Sequence, residues 1–418
     1  MTVLIKQATI TDSNSPFNGQ TKDIFIKDGV ITSISNSSKE KADKIIEAKG
    51  LAVSIGWMDI FAHFCDPGYD HRETLETGAK AAAVGGYTDV MVLPNTNPVL
   101  HTKSQIEYII QKSVNLPVNI IPIGAVTKNT EGKELAEMYD MHQSGAIAFS
   151  DGNNSIQSPG LLLKALQYVL AFEGTIIQLP DDKTINAHGL VNEGIVSTQL
   201  GLPGKPSLSE ELMIARDIEL VKYSGSRIHF TGVSTQKSID LIKAAKAEGL
   251  QVSCSVAPYH LFFCDEDLIN YDTNLKVNPP LRTRTDMLAL REAVKNGIVD
   301  CIASHHIPQD WDHKASEFEY AKNGMIGLET VFGVLGDCNL SPAQIVQLLA
   351  IAPRKIFGIT LPEIKEGVTA KLTLFDPAGK YIYEADKIQS RSKNAAFVGK
   401  QLTGKVIGII NGNSSYFN

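Results

Sequence analysis

The side chains able to do chemistry are few: His63 in FAHFC, Asp151 in FSDGNN, His229 in RIHFTG, and the adjacent pair His305 and His306 in SHHIPQ. Imidazole is the commonest metal ligand and a general base near neutral pH, so His63, His305 and His306 are the available ligands for a single ion. Successive residues of a strand face opposite ways, which keeps His305 and His306 from gripping one ion together. His229 lies on an apolar run, where a satisfied core histidine is the ordinary reading. Asn95 in LPNTNP and Asn278 in VNPPLR could hydrogen-bond a small ligand, although both stand beside prolines in turns, where an amide also bonds its own backbone. The five cysteines, Cys65, Cys254, Cys264, Cys301 and Cys338, form no CxxC pair, so reduced thiols are expected rather than a zinc knuckle or a redox motif.

Those residues need a frame. Eight apolar, strand-like runs, VSIGWMDIF, YTDVMVLP, VNIIPIGAV, AIAFSD, GTIIQLP, RIHFTG, QVSCSVAP and DCIASHH, alternate with stretches such as HRETLETGAKAAAVGG and SIDLIKAAKAEG, whose apolar residues recur at helical spacing. Eight strand-then-helix units close most naturally into an α/β fold of the (β/α)8 type, with its site at the C-terminal ends of the strands. The two chain ends read differently. IFIKDGVITSIS places Asp28 and Gly29 between alternating apolar positions, as in a two-residue hairpin. KLTLFDP, AAFVGKQL and GKVIGIINGN are short, β-rich and punctuated by Gly or Pro, so both termini could join into one small β-domain.

Composition removes several classes of function. The chain has 418 residues, is 43 % hydrophobic and 20 % charged, and carries a net charge of -7. Such a balance suits an ordinary globular protein and gives no basic field for nucleic acid or anionic membrane. No run is apolar enough to span a bilayer and the start lacks a signal-peptide pattern, which makes the cytoplasm the expected compartment.

DIFAHFCDPG at the end of the first strand is followed by ETLETGAKAAAVGGYTDVMVLPNTNPV, and later by GLPGKPSLSEELMIARDIEL, KVNPPLRTRTDMLAL, GMIGLET and SKNAAFVGKQLTGKV. In order, and over nearly the whole chain, this string resembles the class I type of dihydroorotase. Those proteins are cyclic amidohydrolases of the amidohydrolase superfamily that interconvert carbamoyl aspartate and dihydroorotate in pyrimidine synthesis. The resemblance implies a distorted (β/α)8 TIM barrel over residues 53–359, with a small β-sandwich domain built from residues 1–52 and 360–418. It also implies two zinc ions bridging a hydroxide, held by histidines and a bridging acid, with a further aspartate on the eighth strand that shuttles the proton.

Carried onto this chain, most of those positions hold other residues. The paired histidines of the first strand fall on Phe61 and His63, and the arginine that meets the substrate carboxylate falls on Cys65. Gly152, after Asp151, takes the place of the bridging acid; Gln178 and Gly232 take the places of the histidines on the fifth and sixth strands. His305 stands for the catalytic aspartate and Gln309 for the histidine that closes that motif, while His306 matches. Only His63 survives as a ligand, so neither zinc nor another cofactor is expected, no catalytic residue is assigned, and Asn95 and Asn278 remain as the substrate-binding pair.

The resemblance therefore implies a catalytically silent dihydroorotase homologue, a homodimer acting as structural or regulatory partner of aspartate transcarbamoylase. An active cyclic amidohydrolase with a rearranged mononuclear site at His63, His305 and His306 is the alternative. A third reading is a binding protein that keeps a pocket through Asn95 and Asn278.

Overall fold

The computed structural model describes residues 2–418. Thr2–Ile10 pairs antiparallel with Thr21–Lys27, which turns at Asp28 and Gly29 into Val30–Ser35, the hairpin read from the sequence. From the other end of the chain, Lys371–Ile382 and Gln401–Asn411 make a long antiparallel pair extended by Ser414–Phe417. Ala52–Ile55 joins the two groups, parallel to Thr2–Ile10 on one side and antiparallel to Lys371–Ile382 on the other. With Lys44–Ile46 as a side branch, the result is one eight-stranded sheet drawn from both termini. The run VSIGWMDIF is thus two strands: Ala52–Ile55 completes the terminal sheet and Trp57–Ala62 begins the barrel. Both halves are wholly buried, so hydrophobicity alone does not mark the division.

The seven remaining apolar runs each contain a short parallel strand. They complete two arcs, one of Trp57–Ala62, Tyr87–Val92 and Asn119–Pro122, the other of Ala148–Phe149, Thr175–Gln178, Ile228–Phe230, Val252–Val256 and Cys301–Ile302. Single parallel bridges join the arcs at both seams, Gly124 to Phe149 and Ala62 to His306, so the strands follow one another round a barrel in chain order. Side chains alternate along them with the period of two that a strand imposes. Met58, Ile60, Met91 and Ile177 fill the interior over a floor of Ala352 and Phe357, whereas Val90 and Ile176, one step away, pack towards the helices.

At the floor a buried carboxylate draws three regions together. Asp89 accepts hydrogen bonds from Arg354 of the last helical turns, from Lys371 of the terminal sheet at 2.8 Å and from Asn119 of the next strand at 2.9 Å. Arg354 also donates to the backbone oxygens of Gly56 and Ala350. Burial by itself would push the Asp89 carboxyl up, but the charges of Arg354 and Lys371 hold it below the usual carboxylate range.

All five cysteines are free thiols. Among the described residues no helix is long and apolar enough to cross a membrane.

Asp89→Asn would leave Arg354 buried without its anion, a loss that costs about 3–5 kcal/mol when one partner of a buried pair is removed. Urea denaturation should show a correspondingly lower midpoint. A midpoint within error of the parent would mean that the triad contributes nothing to stability.

Candidate functional site

The C-terminal strand ends and the loops beyond them enclose a cavity of about 310 Å³. His63, Asn95, Asn278 and Gln309 line it, together with Arg72, Leu179 and Tyr259.

His63 follows directly on the first barrel strand, with both ring nitrogens engaged. The Cys65 backbone N–H donates to Nδ1 at 2.8 Å, which leaves the ring proton on Nε2, facing the Asn95 carbonyl oxygen at 3.0 Å. That arrangement uses the lone pair a metal would need. Burial, with the nearby Arg72 charge, pushes the imidazole down to about 3. Cys65 is buried with its thiol pushed up to about 12 by desolvation, far from an arginine's chemistry.

Phe61 and His305 stack side by side at the seam between the first and eighth strands, ring centroids 4.5 Å apart. His305 Nε2 lies 2.8 Å from the Thr231 hydroxyl, which accepts from Ser255, and Ser255 in turn meets His229 Nε2 at 3.0 Å. Ser253 bonds the other nitrogen of His229 at 2.8 Å. His229 is thus a satisfied interior residue, and burial pushes both imidazoles down to about 3. Gly232 permits this packing: its φ is +68°, and a Cβ there would stand 2.8 Å from His305 Cε1.

Gly152 is matched to Asn95 in the same way. Its φ is +60°, and a Cβ would lie 1.8 Å from Asn95 Oδ1, so a side chain at 152 and the present pose of Asn95 exclude each other. Asp151, the remaining acid of that strand end, accepts from the backbone and hydroxyl of Thr127 and is turned away into the neighbouring loop.

Gln178 is a correction. Its amide bonds Asp217 at 3.2 Å and the backbone of Ile156, so it faces the helix layer, and Leu179 lines the cavity instead. The strand alternates, Ile177 pointing inward and Gln178 outward, and a one-residue misplacement changes the face. His306 also turns from the mouth. Its Nδ1 accepts from the Gly327 N–H and its Nε2 lies 3.4 Å from Glu73, which in addition holds the Ser390 hydroxyl and the Arg391 N–H. His63, His305 and His306 therefore do not converge on one ion.

Asn95 and Asn278 both reach the cavity, each with prior engagements. Asn95 donates to the Asp151 carbonyl and accepts from the Asn153 N–H, both at 3.0 Å. Asn278 accepts from Lys205 Nζ at 2.9 Å and donates to Asp181 at 3.3 Å, within a buried ion pair. Sequence reasoning passed over that pair, and over Arg72, whose guanidinium is the only charged lining group among the described residues and donates to the Pro308 carbonyl at 2.9 Å and 2.6 Å. Arg72 sits where a helix is about to begin and carried no motif of its own.

A bridged two-zinc centre does not fit these side chains. Among the described residues no three of His, Cys, Asp and Glu stand close enough together to hold an ion. In their present poses the groups of the mouth offer hydrogen bonds and one positive charge to a small ligand.

Residues 51–238 match the family model described as dihydro-orotase-like. A dihydroorotase of Pelotomaculum thermopropionicum is 39 % identical, the alignment covering 97 % of this chain and 96 % of that protein. One from Acetivibrio thermocellus is 38 % identical, with 98 % of each chain covered. Among solved structures, the L-hydantoinase (dihydropyrimidinase) of Arthrobacter aurescens superposes with a TM-score of 0.86 at 25 % identity, over 99 % of this chain and 95 % of that one. These likenesses overturn the expectation that no cofactor is involved. Dihydroorotases and hydantoinases are metal-dependent amidohydrolases, so metal is the ordinary cofactor among this chain's relatives.

The interior imidazoles give the fold a definite acid response. His63, His229 and His305 take up a proton in the unfolded chain near pH 6.5, but in the fold only near about 3. Between those values the unfolded chain binds more protons, so stability should fall as pH drops below about 6.5. Denaturation midpoints of the parent and of His305→Gln, measured across that interval, should converge as pH falls; parallel curves would show that His305 does not contribute.

Proposed function

The chain belongs to the dihydroorotase family, and from that premise we propose that it serves pyrimidine synthesis without turning over substrate at its mouth. Its role on this reading is structural or regulatory, as a homodimeric partner of aspartate transcarbamoylase. The observation that carries the reading is the Phe61 and His305 stack, with His305 Nε2 engaged by the Thr231 hydroxyl, at positions where the family resemblance puts a metal ligand and a proton-shuttling acid. Two rings held by packing and a hydroxyl chain neither activate a water molecule nor move a proton at neutral pH. Gly152 and Gly232 support it too, since each is fitted to the neighbour that fills its space. The barrel and the terminal sheet keep the shape shared with catalytic relatives, which leaves the outer surface as the part available to selection.

Dihydroorotate hydrolysis by protein supplied with zinc should stay at background, and Phe61→His should not raise it, because the members of such a constellation act as a unit. Steady turnover that is lost in His63→Ala would reject the proposal. For the partner, co-expression with aspartate transcarbamoylase and size-exclusion chromatography should give one co-eluting assembly; separate elution at micromolar concentration, with the transcarbamoylase unchanged in oligomer and activity, would count against it.

A further inference from the structure

A second cavity, of about 450 Å³, opens between the terminal sheet and the barrel wall and shares no lining residue with the mouth. Five aromatic side chains line it: Phe332, Tyr381, Tyr383, Tyr416 and Phe417. Among them lies Glu329, whose carboxylate accepts the backbone N–H groups of Gln389 and Ser390, each at 3.0 Å. Those bonds fix its position but bring no charge. Among the described residues no lysine, arginine or histidine forms an ion pair with it. Burial pushes this carboxyl up to about 7, and the backbone N–H groups with the more distant charges of His306 and Lys393 offset only part of that penalty; the Tyr383 hydroxyl also meets it.

The rest of the lining leans the same way. Glu384 and Asp386 add two acids, against Lys387, which pairs with Glu384, and Lys405. With Glu329 ionised, as a bound cation would make it, three acids and two lysines leave the cavity one negative charge in excess. The Tyr381 hydroxyl carries no hydrogen bond among the described residues, so its lone pairs are free for a donor. Aromatic rings attract cations through their negative faces, and a largely apolar cavity with a few placed polar groups is the usual form of a small-molecule site.

We propose that this cavity binds a small organic cation, a primary ammonium on an aromatic or apolar body, with the ammonium at Glu329 and Tyr381 and the body among the rings. The inference does not depend on whether the mouth is catalytic.

Calorimetric titration of the full chain with benzylamine, benzyl alcohol and benzoate tests it. Benzylamine should bind saturably with one site, and the alcohol and benzoate more weakly by about tenfold or more, since only the amine offers a charged donor. Glu329→Gln should weaken benzylamine by about tenfold while leaving the alcohol unchanged. Tyr416→Ser, which leaves the Glu329 bonds alone, should weaken both ligands and serves as the second variant if Glu329→Gln fails a thermal-melt check of folding. Absence of saturable benzylamine binding at millimolar concentration, equal binding of the alcohol or of benzoate, or indifference to the folded variants would each overturn the proposal.

Discussion

One buried carboxylate, shared between two cations, sets the relation between the barrel and the terminal sheet. Asp89 receives Arg354 from below and Lys371 from the side, and each contact fixes a different part of the chain to the second barrel strand. An unpaired charge at that depth would be expelled or neutralised, so the three groups are held together by the penalty of separating them. The same strand carries this constraint upward. Six residues beyond Asp89 is Asn95, whose carbonyl oxygen meets His63 and whose amide fills the space over Gly152. Electrostatics at the floor and hydrogen bonding at the mouth are therefore linked through Tyr87–Val92 and the loop that follows it.

At the mouth, the side chains fit one another. His305 occupies the volume that a side chain at 232 would need, and Phe61 covers the face of its ring. The hydroxyl chain from Thr231 through Ser255 to Ser253 bonds both nitrogens of His229 and Nε2 of His305 without a charge. Each hydroxyl of the chain is paired, which a low-dielectric interior favours. Kinship with metal-dependent amidohydrolases and a mouth packed with neutral rings coexist in this chain, and the scaffold tolerates both because its packing lies elsewhere, between the strands and the helices.

Much of this was legible in the residues. Apolar runs alternating with helical spacing marked all eight barrel strands, and the family resemblance set Phe61, Gly232 and His305 at one mouth, where they meet. Three things were not. Gln178 was placed at the mouth although it faces Asp217, because a strand's two faces differ by one residue and GTIIQLP is apolar on both. Val53–Ile55 reads as part of the barrel, because burial is complete on either side of the division. Arg72 and the Lys205 and Asp181 pair reach the cavity region through loops, where distance along the chain says little about proximity in space.

The terminal sheet has a consequence for how the protein is made. Ala52–Ile55 waits for Lys371–Ile382, more than three hundred residues later, and Glu73 waits for Ser390 and Arg391. A ribosome adding roughly 5–20 residues per second delivers those partners tens of seconds after the first strands emerge. Until then the nascent chain carries an open sheet edge, the feature most prone to pair with a neighbour on the same message. A chain released before Lys371–Ile382 would keep that edge exposed, so the sheet closes only when the late strands arrive.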